Sequence, residues 1–220
     1  MSMEWLIWFL RIITPITTYV LYLSPIPTLW KWISVDSIDV FPPLPLIMGF
    51  ILSVFLFIYG HLTNNVTLLL STTVGLVLHI IYLVVYGYYT KRRTAYVEKV
   101  FAYLAATASI VVFIVIQHDL STSIRYAGLI SGVTKIVRMA APLSSLRQVL
   151  RTKSSETLPF ALIFVSFLVS AEWTLLAAIF KDRYMLIPNA LGVALSLVQL
   201  SLFVIYPSKN EAETQLHKTK

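Results

Sequence analysis

The sequence predicts an all-α integral membrane protein, with seven transmembrane helices arranged as two parallel three-helix repeats joined by a linker helix. Three observations support this 3+1+3 plan. Hydrophobic residues make up 58% of the chain and charged residues only 12%, with a mean hydropathy of +0.80, which is far from the composition of a soluble domain. Apolar runs of about 20 residues recur along the chain. The two halves of the chain also match each other without a gap.

The internal match lays residues 25–89 over residues 142–206, at an offset of 117 residues. Prolines and glycines carry the match, for example Gly75 on Gly192, because the chain has only 10 Pro and 7 Gly. Duplicated hydrophobic halves are characteristic of transporters, in which the substrate site lies near the middle of the bilayer between the repeats. The alternative is a tandem duplication that serves only the packing of the helices and has no transport function.

Seven segments are predicted to span the membrane, and the fourth has no counterpart in the internal match. An unpaired helix between two three-helix units lets both units insert with the same orientation. The predicted spans are residues 5–24, 43–61, 66–89, 99–117, 124–146, 159–180 and 184–206. The corresponding divisions of the chain are a first repeat at 1–92, a linker helix at 93–120, a second repeat at 121–207 and a polar cytosolic tail at 208–220.

The distribution of Lys and Arg predicts an outside N-terminus and a cytosolic C-terminus. In that orientation eleven basic residues face the cytosol and three, Arg125, Lys181 and Arg183, face outwards. The net charge of +7 is mostly this bias, so no nucleic-acid partner is predicted. We expect a multi-pass protein of the plasma membrane, with the Golgi or another internal membrane as the alternative. The absence of cysteine excludes disulfides and thiolate metal sites. No catalytic residue, metal site or cofactor is predicted, and we do not expect an enzyme.

Prolines recur near the predicted cytosolic ends of matching helices. Pro25 and Pro142 stand late in the first helix of each repeat, and Pro45 and Pro159 stand at the start of the second helix. Proline removes an intrahelical hydrogen bond and creates a hinge, or it occupies the first turn of a helix as a cap. A hinge is the favoured interpretation for Pro25 and Pro142, because a long apolar run precedes Pro142.

Several longer motifs are shared with a known family. The most specific are residues 152–160, with the sequence TKSSETLPF, and residues 188–192, with the sequence PNALG. Residues 23–25 and 49–64 add matches in the first half. With these motifs the chain resembles the SWEET sugar transporters over nearly its whole length to Tyr206, and the 49–64 segment is most similar to the animal-type branch. The resemblance implies a uniporter that passes mono- or disaccharides down their gradient by alternating access.

The resemblance also implies roles for individual residues. Asn189 matches an asparagine that holds sugar hydroxyls, and Thr72 stands where the family has a second one. Trp173 matches an aromatic residue of the sugar pocket, with Leu56 as its first-half counterpart. The implied gating residues are the prolines of an intracellular gate and an extracellular pair, namely Pro25, Pro45, Pro142 and Pro159, and Tyr59 with Asp182.

The chemistry of these side chains suits a sugar without reference to any family. Asn supplies a donor and an acceptor to neighbouring hydroxyls, and Trp offers a flat apolar face to a pyranose ring. Asn in a membrane also bonds helices together, and Trp also anchors helices at the interface, so both alternatives stay open. Thr72 keeps a hydroxyl but lacks the amide, so one sugar contact is expected to be weaker. Bulky Trp173 and Leu56 predict passage of hexoses and exclusion of sucrose.

Ionisable residues at membrane depth add a complication. Intramembrane charges usually face a cavity and pair with one another. Glu172 is predicted to pair with Lys135 or with Arg11, and Arg138 is close enough to the cytosolic end to extend towards it. A structural ion pair and an ion-coupling site are both compatible with this pattern.

The sequence therefore predicts facilitated, uniport passage of sugars, with monosaccharides as the expected substrates. Two other functions remain open: a non-transporting seven-helix receptor of the same architecture, and a proton-coupled amino-acid carrier that uses Glu172. The expected partners are a small-molecule sugar and the lipid bilayer, and assembly into homo-oligomers is left open.

Overall fold

The computed structural model describes residues 2–36, 38–156 and 158–207, and this part of the chain contains helices and no strands. Its nine α-helices are α1 (Ser2–Leu23), α2 (Pro25–Ser34), α3 (Leu44–Leu62), α4 (Val66–Tyr89), α5 (Arg93–Val115), α6 (Leu120–Arg138), α7 (Ala140–Thr152), α8 (Phe160–Ile179) and α9 (Arg183–Ile205). A 3₁₀ turn, Ile38–Val40, follows α2. The predicted all-α fold is confirmed, and the predicted tail at 208–220 lies outside the described residues.

Six helical segments of the described residues are long and apolar enough to cross a membrane. They are α1 together with α2, then α3, α4, α5, α8 and α9, and they correspond to six of the seven predicted spans. The seventh prediction, at 124–146, covers most of α6 and half of α7. Helix α6 is less apolar because it contains Arg125, Lys135 and Arg138. Among the described residues, six segments are thus apolar enough to span a membrane. Helix α6, the first helix of the predicted second repeat, is more polar than these six.

Both helices predicted to carry a hinge are interrupted. Helix α1 ends just before Ser24, and α2 begins at Pro25. Pro25 has no N–H to donate to the carbonyl of Leu21. That carbonyl instead accepts from the N–H of Ser24 at 3.3 Å and from its hydroxyl at 2.7 Å. In the second repeat, α6 ends at Arg138 and α7 begins at Ala140. The segment predicted at 124–146 is thus divided between α6 and α7, and the break lies close to the proline for which a hinge was predicted.

The backbone repeats the sequence match at the same offset. Among the described non-glycine residues, positive φ angles fall in two pairs separated by 117 residues, Asp36 with Lys153 and Asn64 with Lys181. In the second pair the following residue donates its N–H to the carbonyl five positions earlier, at 2.9 Å from Asn65 and 2.8 Å in the second repeat. This is the bond that closes a helix with a left-handed C-terminal residue. The second and third helices of each repeat are therefore joined by the same turn.

Packing divides the chain into two compact units, Met1–Lys135 and Ile136–Lys220. In the first unit α4 packs most extensively against α3, and also against α1 and α5. In the second unit α9 packs against α8 and α7. The third helix of each repeat thus organises its own unit. The boundary between the units falls inside α6, and the division of the chain into 1–92, 93–120 and 121–207 stays a prediction.

Each unit has an apolar core that fixes the short helix after the break. Leu29 of α2 is buried in the first core, together with Leu46 of α3 and Tyr86 of α4. Val149 of α7 is fully buried in the second core, where it packs with Ile163 of α8. Many large apolar side chains elsewhere are exposed, as expected for a protein whose outer surface faces lipid. The short helices α2 and α7 are thus held to their units.

Candidate substrate site

The four predicted sugar-binding residues lie at one level within their helices. Leu56 is six residues before the end of α3, and Thr72 is six residues after the start of α4. Trp173 and Asn189 have the same positions in α8 and α9. At 1.5 Å per residue, each is about 9 Å along its helix from the turn that joins the two helices. The distance from the connecting turn is therefore the same in both units, each taken by itself.

In the second unit, the predicted binding residues are a buried amide and a buried indole. Asn189 is 0% exposed, and its Nδ2 donates to the carbonyl of Met185 at 2.6 Å. Trp173 is 5% exposed. Three residues after Asn189, Gly192 lies so close to α8 that an added Cβ would be 2.8 Å from the Oγ of Ser170. Gly192 therefore allows α8 and α9 to approach each other closely about one turn from Asn189.

In the first unit, Thr72 takes the position that corresponds to Asn189. It is 1% exposed, and its Oγ1 donates to the carbonyl of Leu68 at 2.7 Å. The bond runs four residues back along the helix, as the Asn189 bond does. Leu56 is only half-buried. Gly75, three residues after Thr72, allows α1 to approach α4 closely, because an added Cβ would be 2.7 Å from the ring of Tyr22. Both halves share one scaffold and differ in the polar group that it carries.

A buried histidine that the sequence analysis did not select lies about two turns beyond Thr72 on the same helix. His79 of α4 is 5% exposed, and its Nδ1 is 2.6 Å from the carbonyl of Gly75. The ring fills the space left by Gly49 of α3, where an added Cβ would be 2.1 Å from Nε2. Its ring also meets the rings of Tyr22 and Tyr82 edge-on. The signal in the sequence was a histidine within an apolar helix. Its contact with Gly49 on α3, which makes room for the ring, is evident only from the structure.

The four predicted gate prolines occupy helix starts and breaks. Pro25 is the first residue of α2. Pro45 lies in the first turn of α3, and Pro159 is the residue immediately before α8. The backbone of Pro142 lies near the start of α7. Proline is well tolerated in the first turn of a helix, where most N–H groups have no acceptor in their own helix, and at Pro25 it also interrupts the hydrogen bonds that would join α1 to α2. The positions therefore suit both capping and bending, and the gating role stays a prediction.

The two residues of the predicted extracellular pair lie in different units. Tyr59 is buried near the end of α3, and its carbonyl accepts from the hydroxyl of Thr63 at 2.7 Å. Asp182 caps α9, since its Oδ1 accepts from the N–H groups of Tyr184 at 3.0 Å and Met185 at 3.1 Å. A carboxylate at a helix N-terminus is favoured by the exposed N–H groups and the helix dipole. Asp182 therefore has a structural role as a cap, whatever its part in gating.

The intramembrane charges lie on the helices where they were predicted. Lys135 and Arg138 are half-buried on α6, and Glu172 is half-buried on α8, next to Trp173. Each of them, like Arg11, takes part in polar or electrostatic interactions. The pairing of Glu172 with Lys135 or Arg11 stays a prediction.

A polar clamp at the predicted cytosolic end closes the first unit. Asp39, in the turn after α2, accepts a hydrogen bond from the hydroxyl of Thr90 at the end of α4, and another from the N–H of Lys91 at 3.1 Å. The hydrogen bond from Thr90, above all, holds the pKa of Asp39 below its usual value. The carboxylate thus ties the turn that follows the broken helix to the end of α4.

We expect Asp39→Ala to lower the melting temperature by about 2–6 °C at neutral pH, because Thr90 and Lys91 lose a charged acceptor. Asp36→Asn is the matched control. It removes an exposed ion pair with Lys91, and such pairs contribute little, so the change should be below about 1 °C. Melting in detergent, followed by tryptophan fluorescence, measures both. A lowered pKa means that the stabilisation is present above the ordinary pKa near 4 and is lost as pH falls below it. The difference between wild type and Asp39→Ala should therefore shrink in acid, and an equal loss in both variants would contradict the clamp.

The fold and these buried side chains define a class of protein, a multi-pass membrane protein with the 3+1+3 arrangement of helices. A solved structure described as a eukaryotic SWEET transporter has a TM-score of 0.85 to this chain, at 24% sequence identity, and the match covers 94% of this chain and 99% of that one. The likeness confirms the predicted fold class.

Sequence comparisons identify the family. The family described as sugar efflux transporters for intercellular exchange, MtN3/SWEET, matches residues 8–94 and again residues 125–211. The sugar transporter SWEET1 of Drosophila pseudoobscura pseudoobscura is 36% identical over 199 residues, which are 89% of this chain and 87% of that protein. The bidirectional sugar transporter SWEET12 of Oryza sativa subsp. japonica is 29% identical over 216 residues, 96% of this chain and 72% of that protein. The chain belongs to the MtN3/SWEET family, as its motifs predicted.

Proposed function

We propose that this protein mediates the facilitated passage of sugars across a membrane, as a uniporter that works by alternating access, with monosaccharides as its substrates. Membership of the family supports sugar as the substrate class, as do the names of the relatives. The observation that carries the proposal is Asn189, a fully buried amide on an apolar helix at the same level as a buried indole. An amide and a flat aromatic face are the groups that a neutral, polyhydroxylated ring needs.

The proposal is tested by uptake of radiolabelled glucose into cells that lack their own glucose transporters. Cells that express the chain should take up glucose with saturable kinetics, and excess unlabelled glucose should compete. Cells that express Asn189→Ala at the same surface level provide the control for transport through this site. Background uptake by the wild type at confirmed surface expression, with all common hexoses, would contradict the proposal.

We expect sugar uptake to be almost independent of a proton gradient. Uniport requires no titrating group, and Glu172, which is predicted to pair with a basic residue, is more simply a structural partner than a coupling site, since an unpaired charge at this depth is costly. Uptake should vary little with external pH between about 5.5 and 7.5, and a protonophore should not abolish it.

The variant Glu172→Gln distinguishes a structural role of this carboxyl group from a role in proton coupling. It should lower the amount of folded protein more than the transport per molecule at the membrane, because it leaves a basic partner uncompensated. Glu98→Gln, at an exposed carboxyl on α5, is the matched control and should change neither. If acid strongly stimulates uptake and Glu172→Gln removes that stimulation at normal surface levels, the protein is a proton-coupled carrier.

The proposed setting is the plasma membrane, with the N-terminus outside and the C-terminus in the cytosol. The excess of Lys and Arg in the loops at one end of the helices supports this orientation. Epitope tags at either terminus, probed with antibody before and after permeabilisation, test it. The N-terminal tag should be accessible on intact cells, and the C-terminal tag only after permeabilisation.

A further inference from the structure

An apolar groove on the first unit has no part in the proposed sugar site. It has a volume of about 480 Å³ and runs between α3, α4 and α5. Its walls are almost entirely apolar side chains, with a basic residue among them. The lining includes Phe50 on α3, Val84 and Gly87 on α4, and Arg93, Val97 and Phe101 on α5.

A glycine on α4 makes room for a side chain of α5 at the bottom of the groove. An added Cβ at Gly87 would be 2.8 Å from the ring of Tyr96. The hydroxyl of Tyr96 donates to the carbonyl of Leu83 at 2.7 Å, so the polar atom of this lining residue already has an acceptor. Water would find few partners on such a surface. A hydrocarbon chain would find apolar contacts along its length.

The length of the groove matches one leaflet of a bilayer. On α5 the lining extends from Arg93 to Leu104, which is about 16 Å along the helix axis. Half of a hydrocarbon core is about 15 Å thick. Helix α5 is also the least covered of the apolar spans, with 11% of its most apolar 18-residue stretch buried. The groove is therefore long enough for one acyl chain and open to the lipid.

The charge at the end of the groove indicates the headgroup. Arg93 is the first residue of α5, and its Nη2 donates to the carbonyl of Tyr88 at 2.9 Å. This bond holds the guanidinium at the groove and uses one of its five N–H donors. Residues 92–99 contain three basic side chains and one acidic side chain. A basic cluster beside an apolar span attracts anionic lipid, and Arg binds phosphate through paired N–H donors.

We propose that this groove is a binding site for an anionic phospholipid. One acyl chain lies along α5 between α3 and α4, and the phosphate of the headgroup is bound by Arg93. The site would fill from the leaflet that contains the basic loop after α4, predicted to be the cytosolic one. It does not depend on sugar transport, and it makes α5, the helix without a repeat partner, the lipid-binding element of the fold.

The absence of cysteine from the sequence allows a direct test. Val84→Cys at the rim of the groove and Val198→Cys on α9, both exposed and a few residues before the ends of matching helices, are each labelled with bimane. The proteins are placed in nanodiscs of phosphatidylcholine with increasing fractions of brominated phosphatidylserine or brominated phosphatidylcholine. Brominated chains quench the label on contact.

The label in Val84→Cys should reach half-quenching at a fraction of brominated phosphatidylserine about fivefold lower than that of brominated phosphatidylcholine, a preference set by one basic contact. The label in Val198→Cys should show none. Arg93→Gln should abolish the preference and Arg93→Lys should largely retain it, with monodisperse elution showing that both variants fold. Equal quenching by the two lipids, the same preference at both labels, or a preference that survives Arg93→Gln would overturn the proposal. If neither lipid quenches the label in Val84→Cys, the proposal is also overturned, because the groove is then closed to lipid, as it would be by a second copy of the chain.

Discussion

Asn189→Ala is expected to reduce sugar uptake to background while the protein still reaches the membrane. Asn189 is the fully buried amide of α9, and alanine removes both its donor and its acceptor. Sugar hydroxyls that enter a desolvated site without partners cost about 1–3 kcal/mol, which corresponds to a loss of about 5- to 150-fold in uptake. Uptake of radiolabelled glucose, divided by surface expression, is the measurement.

The control for this variant is Ser201→Ala, on the exposed side of the same helix. It removes a hydroxyl that bonds only to the carbonyl of Val198 at 2.7 Å, so uptake should be unchanged. Wild-type uptake by Asn189→Ala would refute the assignment of this residue. Loss of both surface expression and uptake would instead assign Asn189 to folding, through its bond to Met185.

The reverse experiment is available at the matching position. Thr72→Asn places an amide where the first repeat has a hydroxyl, on the same helical scaffold. The new amide can donate to the carbonyl of Leu68, as Asn189 donates to that of Met185, and retains an acceptor for sugar. We expect higher uptake or a broader range of accepted sugars. A decrease at normal surface expression would show that the threonine is not a weaker form of the same contact.

Trp173→Ala is expected to change which sugars are transported. The indole is buried, at the same distance from the turn between α8 and α9 as Asn189, and its removal would leave space within the proposed site. The wild type should transport hexoses and exclude sucrose, whereas the variant should lose several-fold in glucose uptake, through the missing aromatic face, and gain in the ratio of sucrose to glucose. Competition between the two labelled sugars measures the ratio.

Trp30→Ala is the matched control, because it removes an indole that is exposed on α2. Its sugar preference should equal that of the wild type. Equal uptake of sucrose and glucose by the wild type would contradict the size argument before any substitution is made. An unchanged ratio in Trp173→Ala would assign the indole to packing of α8.

The order and extent of the helices were predictable because lipid imposes a simple rule on sequence. A spanning helix needs about 20 apolar residues whatever it packs against, so six spans were located from composition alone. The internal match was equally readable, and its pairs reappear as paired positive φ angles at Asn64 and Lys181. Family motifs then selected Asn189 and Trp173, both of which are buried.

Features that depend on neighbouring helices were harder to predict. Pro142 predicted a bend in this segment, but the position of the break, between Arg138 and Ala140, was not predicted, because an apolar run gives no sign of where its hydrogen bonds fail. His79 was missed because its meaning depends on Gly49, which lies 30 positions away in sequence and directly against the ring in the fold. The clamp at Asp39 likewise joins residues more than 50 positions apart. Contacts of this kind follow from packing and not from periodicity.

The most direct test of the account is counterflow of glucose through the purified protein in liposomes. Liposomes loaded with unlabelled glucose are diluted into a trace of labelled glucose, with the same pH on both sides. A uniporter that works by alternating access should accumulate label transiently above its external concentration, and Asn189→Ala should not. No accumulation by correctly inserted wild-type protein, or accumulation only when a proton gradient is imposed, would contradict the account.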